Sequence, residues 1–219
     1  MSAITVHSIP GSPFGRAVLM ALEEKGAAYR LVRVAPGTLR SSEHLALHPF
    51  GRVPVLEHGE FRLYETAAIV RYIDRVLPGP ALSPAEACEV ARMDQLMNVN
   101  DWYLFQGVGN VIGFQRVVGP RLLGLTPDER AIAAVLPKAQ VVLDQLAREL
   151  GERPYFVGAQ LTLADLLLAP QLEFLSQTPE WAGLTAKSAN LDAWLERMAA
   201  RPSMRVTTWE RVAAMAEAA

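Results

Sequence analysis

The sequence predicts an α+β domain over residues 1–78 and, after a linker at 79–85, an all-α helical domain over 86–219. Three observations carry this. Short strand-like and helix-like runs alternate up to Leu77. Leu77-Pro-Gly-Pro-Ala-Leu-Ser-Pro84 then breaks the pattern, because two prolines around a glycine stop one helix and disfavour another until Ser83. Beyond that break the chain reads as helical.

Taken in order, Ile4-Thr-Val-His-Ser8 alternates as a strand does and runs into the turn signal Pro10-Gly11. Ser12-Pro13 offers an N-cap with proline at the first helical position, and Val18, Leu19 and Leu22 make an apolar stripe ending at Gly26. Tyr29 to Val34 reads as a second strand. Ala35-Pro-Gly-Thr38 then loops into a polar, weakly periodic segment from Leu39 to Leu47. After the proline-marked turn at His48-Pro-Phe-Gly51, Val53-Pro-Val-Leu56 and Phe61-Arg-Leu-Tyr64 form a hairpin through Glu57-His-Gly-Glu60. There Gly59 supplies the positive φ of a tight turn. Pro54 forfeits a ladder hydrogen bond, which places it at the start of a strand or in a cis turn. Glu65-Thr66, with Thr66 as cap, precedes a helix from Ala67 to Leu77.

The resulting order, β-α-β-α-β-β-α, is that of the thioredoxin-like fold, in which the first helix presents its N-terminus to the ligand. The residues there are Ser12-Pro-Phe-Gly15. A serine oxygen forms no disulfide, so dithiol exchange at this position is excluded.

In the second domain, Ser83-Pro-Ala-Glu86 and Thr126-Pro-Asp-Glu129 read as capping boxes, and Thr162-Leu-Ala-Asp165 has the same hydroxyl-to-acid spacing. Helices are expected over 84–106, 109–123, 127–150, 163–177 and 190–200, with a short piece at 203–215. Pro137 and Pro170 kink theirs. Met93, Met97, Asn100, Asp101 and Leu104 recur at helical spacing, the pattern of a core stripe.

Composition narrows the function classes. The net charge of −2 is spread without a basic block, so there is no nucleic-acid or anionic-membrane footprint. No run reaches the length of a membrane span, and no signal sequence opens the chain, which makes the cytoplasm the expected compartment. Cys88 is the only cysteine, which excludes an intrachain disulfide and a thiolate metal cluster. The four histidines, at 7, 44, 48 and 58, have no zinc spacing, so no metal is expected.

The turn at Val53-Pro54, if cis, holds the Val53 amide and carbonyl away from the sheet, free to pair with an extended peptide-like ligand. Close by, a helix start carrying a hydroxyl suits a carboxylate, and Glu65 suits an ammonium. Ser12, His48-Pro-Phe-Gly51, Arg52-Val53-Pro54, Glu65-Thr66 and Gly158-Ala-Gln-Leu-Thr-Leu-Ala-Asp165 together resemble a cytosolic glutathione transferase over nearly the whole chain. The placement of Ser12 is most similar to serine-type, phi-like and bacterial members.

The resemblance implies glutathione as co-substrate, with Val53 and Pro54 at its cysteinyl backbone, Glu65 and Thr66 at its γ-glutamyl head, and Arg52 near by. In the phi-like pattern a His-Lys pair reaches the glycine carboxylate. Here the aligned residues are Leu39-Arg40, of which only Arg40 carries charge. Ser12 is implied to stabilise the thiolate; the competing reading is an ordinary helix cap. Phe14, Met97, Asp101 and Leu104 are candidates for an apolar electrophile pocket, against the simpler reading that the stripe is core. Asp101 is alternatively a contact to a neighbouring subunit's glutathione amine, since the family forms homodimers. Thr162 and Asp165 read as a folding element. A glutathione-dependent peroxidase or isomerase at the same site, and a non-catalytic binding module, are the alternatives.

Overall fold

The computed structural model describes residues 3–217, which divide into two compact units: 3–82 with 200–217, and Ser83–Ala199. In the first unit the order is β1 (Ile4–Ser8), α1 (Pro13–Glu24), β2 (Arg30–Arg33), a 3₁₀ turn (Pro36–Thr38), α2 (Ser42–Leu47), β3 (Val55–His58), β4 (Phe61–Tyr64) and α3 (Thr66–Val76). This is the thioredoxin-like succession expected from the sequence. The four strands form one mixed sheet in the order β2-β1-β3-β4, parallel between β1 and β2 and antiparallel elsewhere. A parallel pair needs a crossover, and α1 supplies it.

Helix α1 is buried continuously from Gly15 to Leu22. A helix with one dry face is amphipathic, whereas one packed on several sides is buried all round. Here α3 lies on α1 together with α10 (Pro202–Val206), from the far end of the chain. The final helix, α11 (Trp209–Glu217), packs on the edge strand β2. The sequence reading put 203–215 with the helical domain; these residues group with the sheet instead.

The charges at the C-terminal end of α1, the buried Lys25 and the half-buried Glu24, are paired. Lys25 Nζ reaches Asp74 Oδ1 at 2.7 Å and the Pro80 carbonyl at 2.7 Å, which ties the segment after α3 to the end of α1. Glu24 takes the Nε and Nη2 groups of Arg201 at 2.8 and 2.7 Å. Burial alone would raise the Glu24 carboxyl, but hydrogen bonds from Arg201 and Ser203 hold it below the usual range.

The second unit contains α4 (Ala87–Val99), π-helical turns at Asn100–Gly109 and Phe114–Val118, then α5 (Gly119–Leu123), α6 (Glu129–Leu150), α7 (Leu163–Ser176), α8 (Trp181–Leu184) and α9 (Ala189–Ala199). Helices α6 and α7 each run on through an internal proline, Pro137 and Pro170. Of the three expected capping boxes only the one at Thr162-Asp165 forms. At α4 and α6 the N-cap falls on Glu86 and Asp128, so the hydroxyls of Ser83 and Thr126 stay outside the helices. No described helix is long and apolar enough to cross a membrane.

Candidate active site

Strand register brings three segments to one end of the sheet. His7 pairs with Val55, and Val55 with Tyr64. The exit from β1, the entry to β3 and the exit from β4 therefore share an end, and they carry Ser12, Val53-Pro54 and Glu65-Thr66.

Ser12 ends a tight turn. Its N–H donates to the Ile9 carbonyl at 2.9 Å, Pro10 occupies the second position, and Gly11 takes φ 87°, the combination of a type II turn. Ser12 is then the extended N-cap of α1, and its Oγ accepts the Gly15 N–H at 3.1 Å. That bond uses one lone pair, so the hydroxyl proton is still available to donate. Gly15 is required by close packing: a Cβ there would lie 1.8 Å from Ser8 Oγ. Phe14, in the same first turn, is half-buried.

The Val53-Pro54 peptide bond is cis. Val53 precedes the paired register of β3, which starts at Val55, while Pro54 is buried beneath it. Two contacts fix this turn from below. His44 Nε2 lies 2.8 Å from the Arg52 carbonyl; a carbonyl only accepts, so Nε2 carries the proton. Gly51 has φ 61°, and a Cβ on it would sit 2.6 Å from the Leu39 carbonyl and 3.3 Å from Arg40 Cδ. The Leu39-Arg40 loop thus lies on the turn, with Arg40 and Arg52 both exposed. His44 was not singled out in the sequence, because a lone histidine in a weakly periodic segment gives no signal.

Glu65 has φ 70° and ψ 113°, and among the described residues it alone combines a positive φ with a side chain. Such a backbone costs about 1–3 kcal/mol and persists where its surroundings impose it. Thr66 was expected to cap α3; the cap position belongs to Glu65, and Thr66 is the buried first residue of the helix. His48 stacks on Tyr64 with ring centroids 4.7 Å apart. Burial holds its imidazole below the ordinary histidine range, against the opposing pull of the Glu65 carboxylate.

In the helical unit, Met97 and Leu104 are 1% and 0% exposed. They fill its core, as the packing reading of the stripe has it. Asp101 is half-buried and accepts from Asn100 Nδ2 at 3.0 Å. Asp165 is fully buried and takes four hydrogen bonds: from Phe156 N and Trp194 Nε1 on Oδ1, and from Thr162 N and Oγ1 on Oδ2, all at 2.8–3.0 Å. Burial pushes its carboxyl up and the four donors oppose this.

A thioredoxin-like sheet with a serine, in place of a redox cysteine, at the first helix, followed by an all-helical unit, defines a class of ligand-binding enzymes. Comparison with known proteins identifies which one. Residues 2–75 match the model of the glutathione S-transferase N-terminal domain, and residues 111–202 that of the glutathione S-transferase C-terminal domain. Similar curated proteins include glutathione S-transferase F7 of Arabidopsis thaliana, 30% identical over 94% of this chain and 99% of its own. Another is glutathione S-transferase 3 of Zea mays, 32% identical over 94% of each chain. Among solved structures, a theta class glutathione S-transferase from Xanthomonas axonopodis pv. citri with glutathione bound superposes with a TM-score of 0.82, at 28% identity over 95% of this chain and 98% of its own. The chain belongs to the glutathione S-transferase family.

Proposed function

We propose that this chain is a serine-type transferase that adds the sulfur of glutathione to an apolar electrophile, with Ser12 as the residue that stabilises the thiolate. One observation carries the assignment: Ser12 is a half-buried N-cap whose oxygen already accepts from Gly15, leaving the hydroxyl proton to be donated to a ligand.

A cysteine thiol of pKa about 8.5 is only a few per cent ionised near neutrality. A hydroxyl hydrogen bond to a charged sulfur is worth roughly 1.5–3 kcal/mol, or about one to two pKa units. The N-terminus of α1 adds roughly 0.3–1 kcal/mol. Together they bring the bound thiol pKa from about 8.5 to near or below neutrality, with the released proton passing to solvent. The thiolate then attacks the electrophilic carbon, and a leaving group, where there is one, departs with the bonding pair.

The other roles follow from the shared end of the sheet. The Val53 backbone, held outside the ladder by the Pro54 turn, pairs with the cysteinyl residue. Glu65 meets the γ-glutamyl ammonium, and Thr66 with the first amides of α3 meets its carboxylate. Arg40, lying on the Gly51 turn, supplies charge for the glycine carboxylate, and Arg52 adds to the same field. The protein acts as a cytoplasmic homodimer.

The test is turnover of wild type and Ser12→Ala with glutathione and a chloronitrobenzene, beside an organic hydroperoxide. A serine-type transferase conjugates the aromatic halide and loses this with Ser12→Ala while glutathione binding persists. Turnover of the hydroperoxide alone overturns the assignment in favour of a peroxidase.

A further inference from the structure

The C-terminal segment beyond Ala199 meets α1 along its whole length. At the end of α1, Arg201 and Ser203 bind Glu24. At the first turn, the buried Arg16 donates from Nη2 to the Met204 carbonyl at 2.9 Å and from Nε to Thr207 Oγ1 at 3.3 Å; Thr207 in turn donates to the Ser203 carbonyl at 2.6 Å. Just before the helix, the indole of Trp209 lies flat against the turn that delivers Ser12. A Cβ on Gly11 would come within 2.4 Å of Trp209 Cε3 and Cζ3 and 2.6 Å of Cη2.

A glycine at the third position of a type II turn leaves one face of the backbone bare, and this ring covers it. The Arg16 contacts reinforce the arrangement from the other side of Ser12, because the Arg16 N–H also donates to the Ser12 carbonyl at 2.9 Å. Thr207 and Ser203 are 0% and 2% exposed, so the segment is packed in place rather than laid on the surface.

From this we infer that Trp209 is a positioning residue for the reaction: it fixes the Pro10-Gly11-Ser12 turn and thereby aims the Ser12 hydroxyl at the bound sulfur. The inference rests on the assignment of Ser12 above. It makes the C-terminal segment part of the glutathione-activating apparatus of the sheet unit.

A misplacement of the order of 1 Å at a reacting group is worth up to about a hundredfold in rate, so loss of the ring should reach the chemistry through the turn. The test is titration of the bound glutathione thiolate by its ultraviolet absorbance in wild type, Ser12→Ala, Trp209→Ala and Trp209→Phe, each checked for cooperative thermal unfolding. With Trp209→Ala the thiol pKa is expected to move at least halfway from the wild-type value toward that of Ser12→Ala. The glutathione Kd should change by less than about twofold, and Trp209→Phe should recover most of the shift. Should Trp209→Ala fail to fold, Trp209→Leu carries the same comparison. If the Trp209 variants titrate as wild type while Ser12→Ala does not, the inference is overturned and the Ser12 assignment stands. If wild type and Ser12→Ala titrate alike, both fall.

Discussion

Helices α1 and α7 begin with the same sequence device, a hydroxyl residue just ahead of an apolar run, and the molecule uses them in opposite ways. At α7 the reciprocal Thr162-Asp165 box is sealed. Both carboxylate oxygens are occupied by protein donors, and the helix is buried from Leu163 to Leu172. At α1 the N-cap side chain makes one bond to its own helix, stands half-buried at the end of the sheet, and has a hydroxyl proton available to donate. A saturated cap stabilises the fold and has nothing left for a ligand. An unsaturated one keeps a donor for a ligand, the role proposed for Ser12. What separates them is the covering: Phe156 and Trp194 both donate to the buried Asp165, whereas Ser12 is half-buried and follows a turn against which the Trp209 indole packs at Gly11.

The comparison breaks most visibly at the sealed end. Asp165→Ala strands four buried donors, each of which costs about 1–3 kcal/mol when unsatisfied, so denaturant unfolding should show a loss of at least about 3 kcal/mol. A loss under about 1 kcal/mol would mean that water or another acceptor replaces the carboxylate. A smaller effect is expected at the open end. Gly15→Ala drives a Cβ into Ser8 Oγ, and overpacking of this kind costs about 1–3 kcal/mol while displacing the Gly15 amide from Ser12. Adding Ser8→Ala removes the clashing oxygen and should recover part of the stability, a coupling that a double-mutant cycle reads directly. The smallest change in stability belongs to Ser12→Ala, roughly 1 kcal/mol for a lost cap, measurable as a shift in the urea midpoint. Its effect on turnover should far exceed that. The contrast with Asp165→Ala, where stability falls and the thiol pKa of the remaining folded protein is unmoved, separates a cap that folds from a cap that reacts.

Much of the sheet unit was legible because its signals are local. Pro54, Gly59 and the Ser12-Pro13 pair each dictate backbone geometry within a few residues, and the strands between them are short and apolar. The strain at Glu65 had no such signal, since a glutamate before a helix reads as an ordinary flank; only the junction of β4 and α3 imposes its positive φ. The boxes at Ser83 and Thr126 failed for a related reason. The acidic residues nearer the helices, Glu86 and Asp128, took the cap positions, and Asp128 accepts from both Arg130 N and Ala131 N. The π-helical turns at Asn100–Gly109 and Phe114–Val118 were read as parts of two α-helices, 84–106 and 109–123, because no residue type marks a π turn in the sequence. The C-terminal segment was assigned to the helical domain on periodicity. Its true location depends on contacts such as Arg16 to Thr207, 191 residues apart in sequence, which no local pattern encodes.

The central claim, that the open cap of α1 activates a thiol, is tested most directly by titrating bound glutathione against pH in wild type and Ser12→Ala. The account predicts a thiol that ionises well below pH 8.5 in the wild type, by about one to two units, and that reverts most of the way in the variant while still binding. A bound thiol with the same pKa in both proteins would contradict it and leave Ser12 as a helix cap like Thr162.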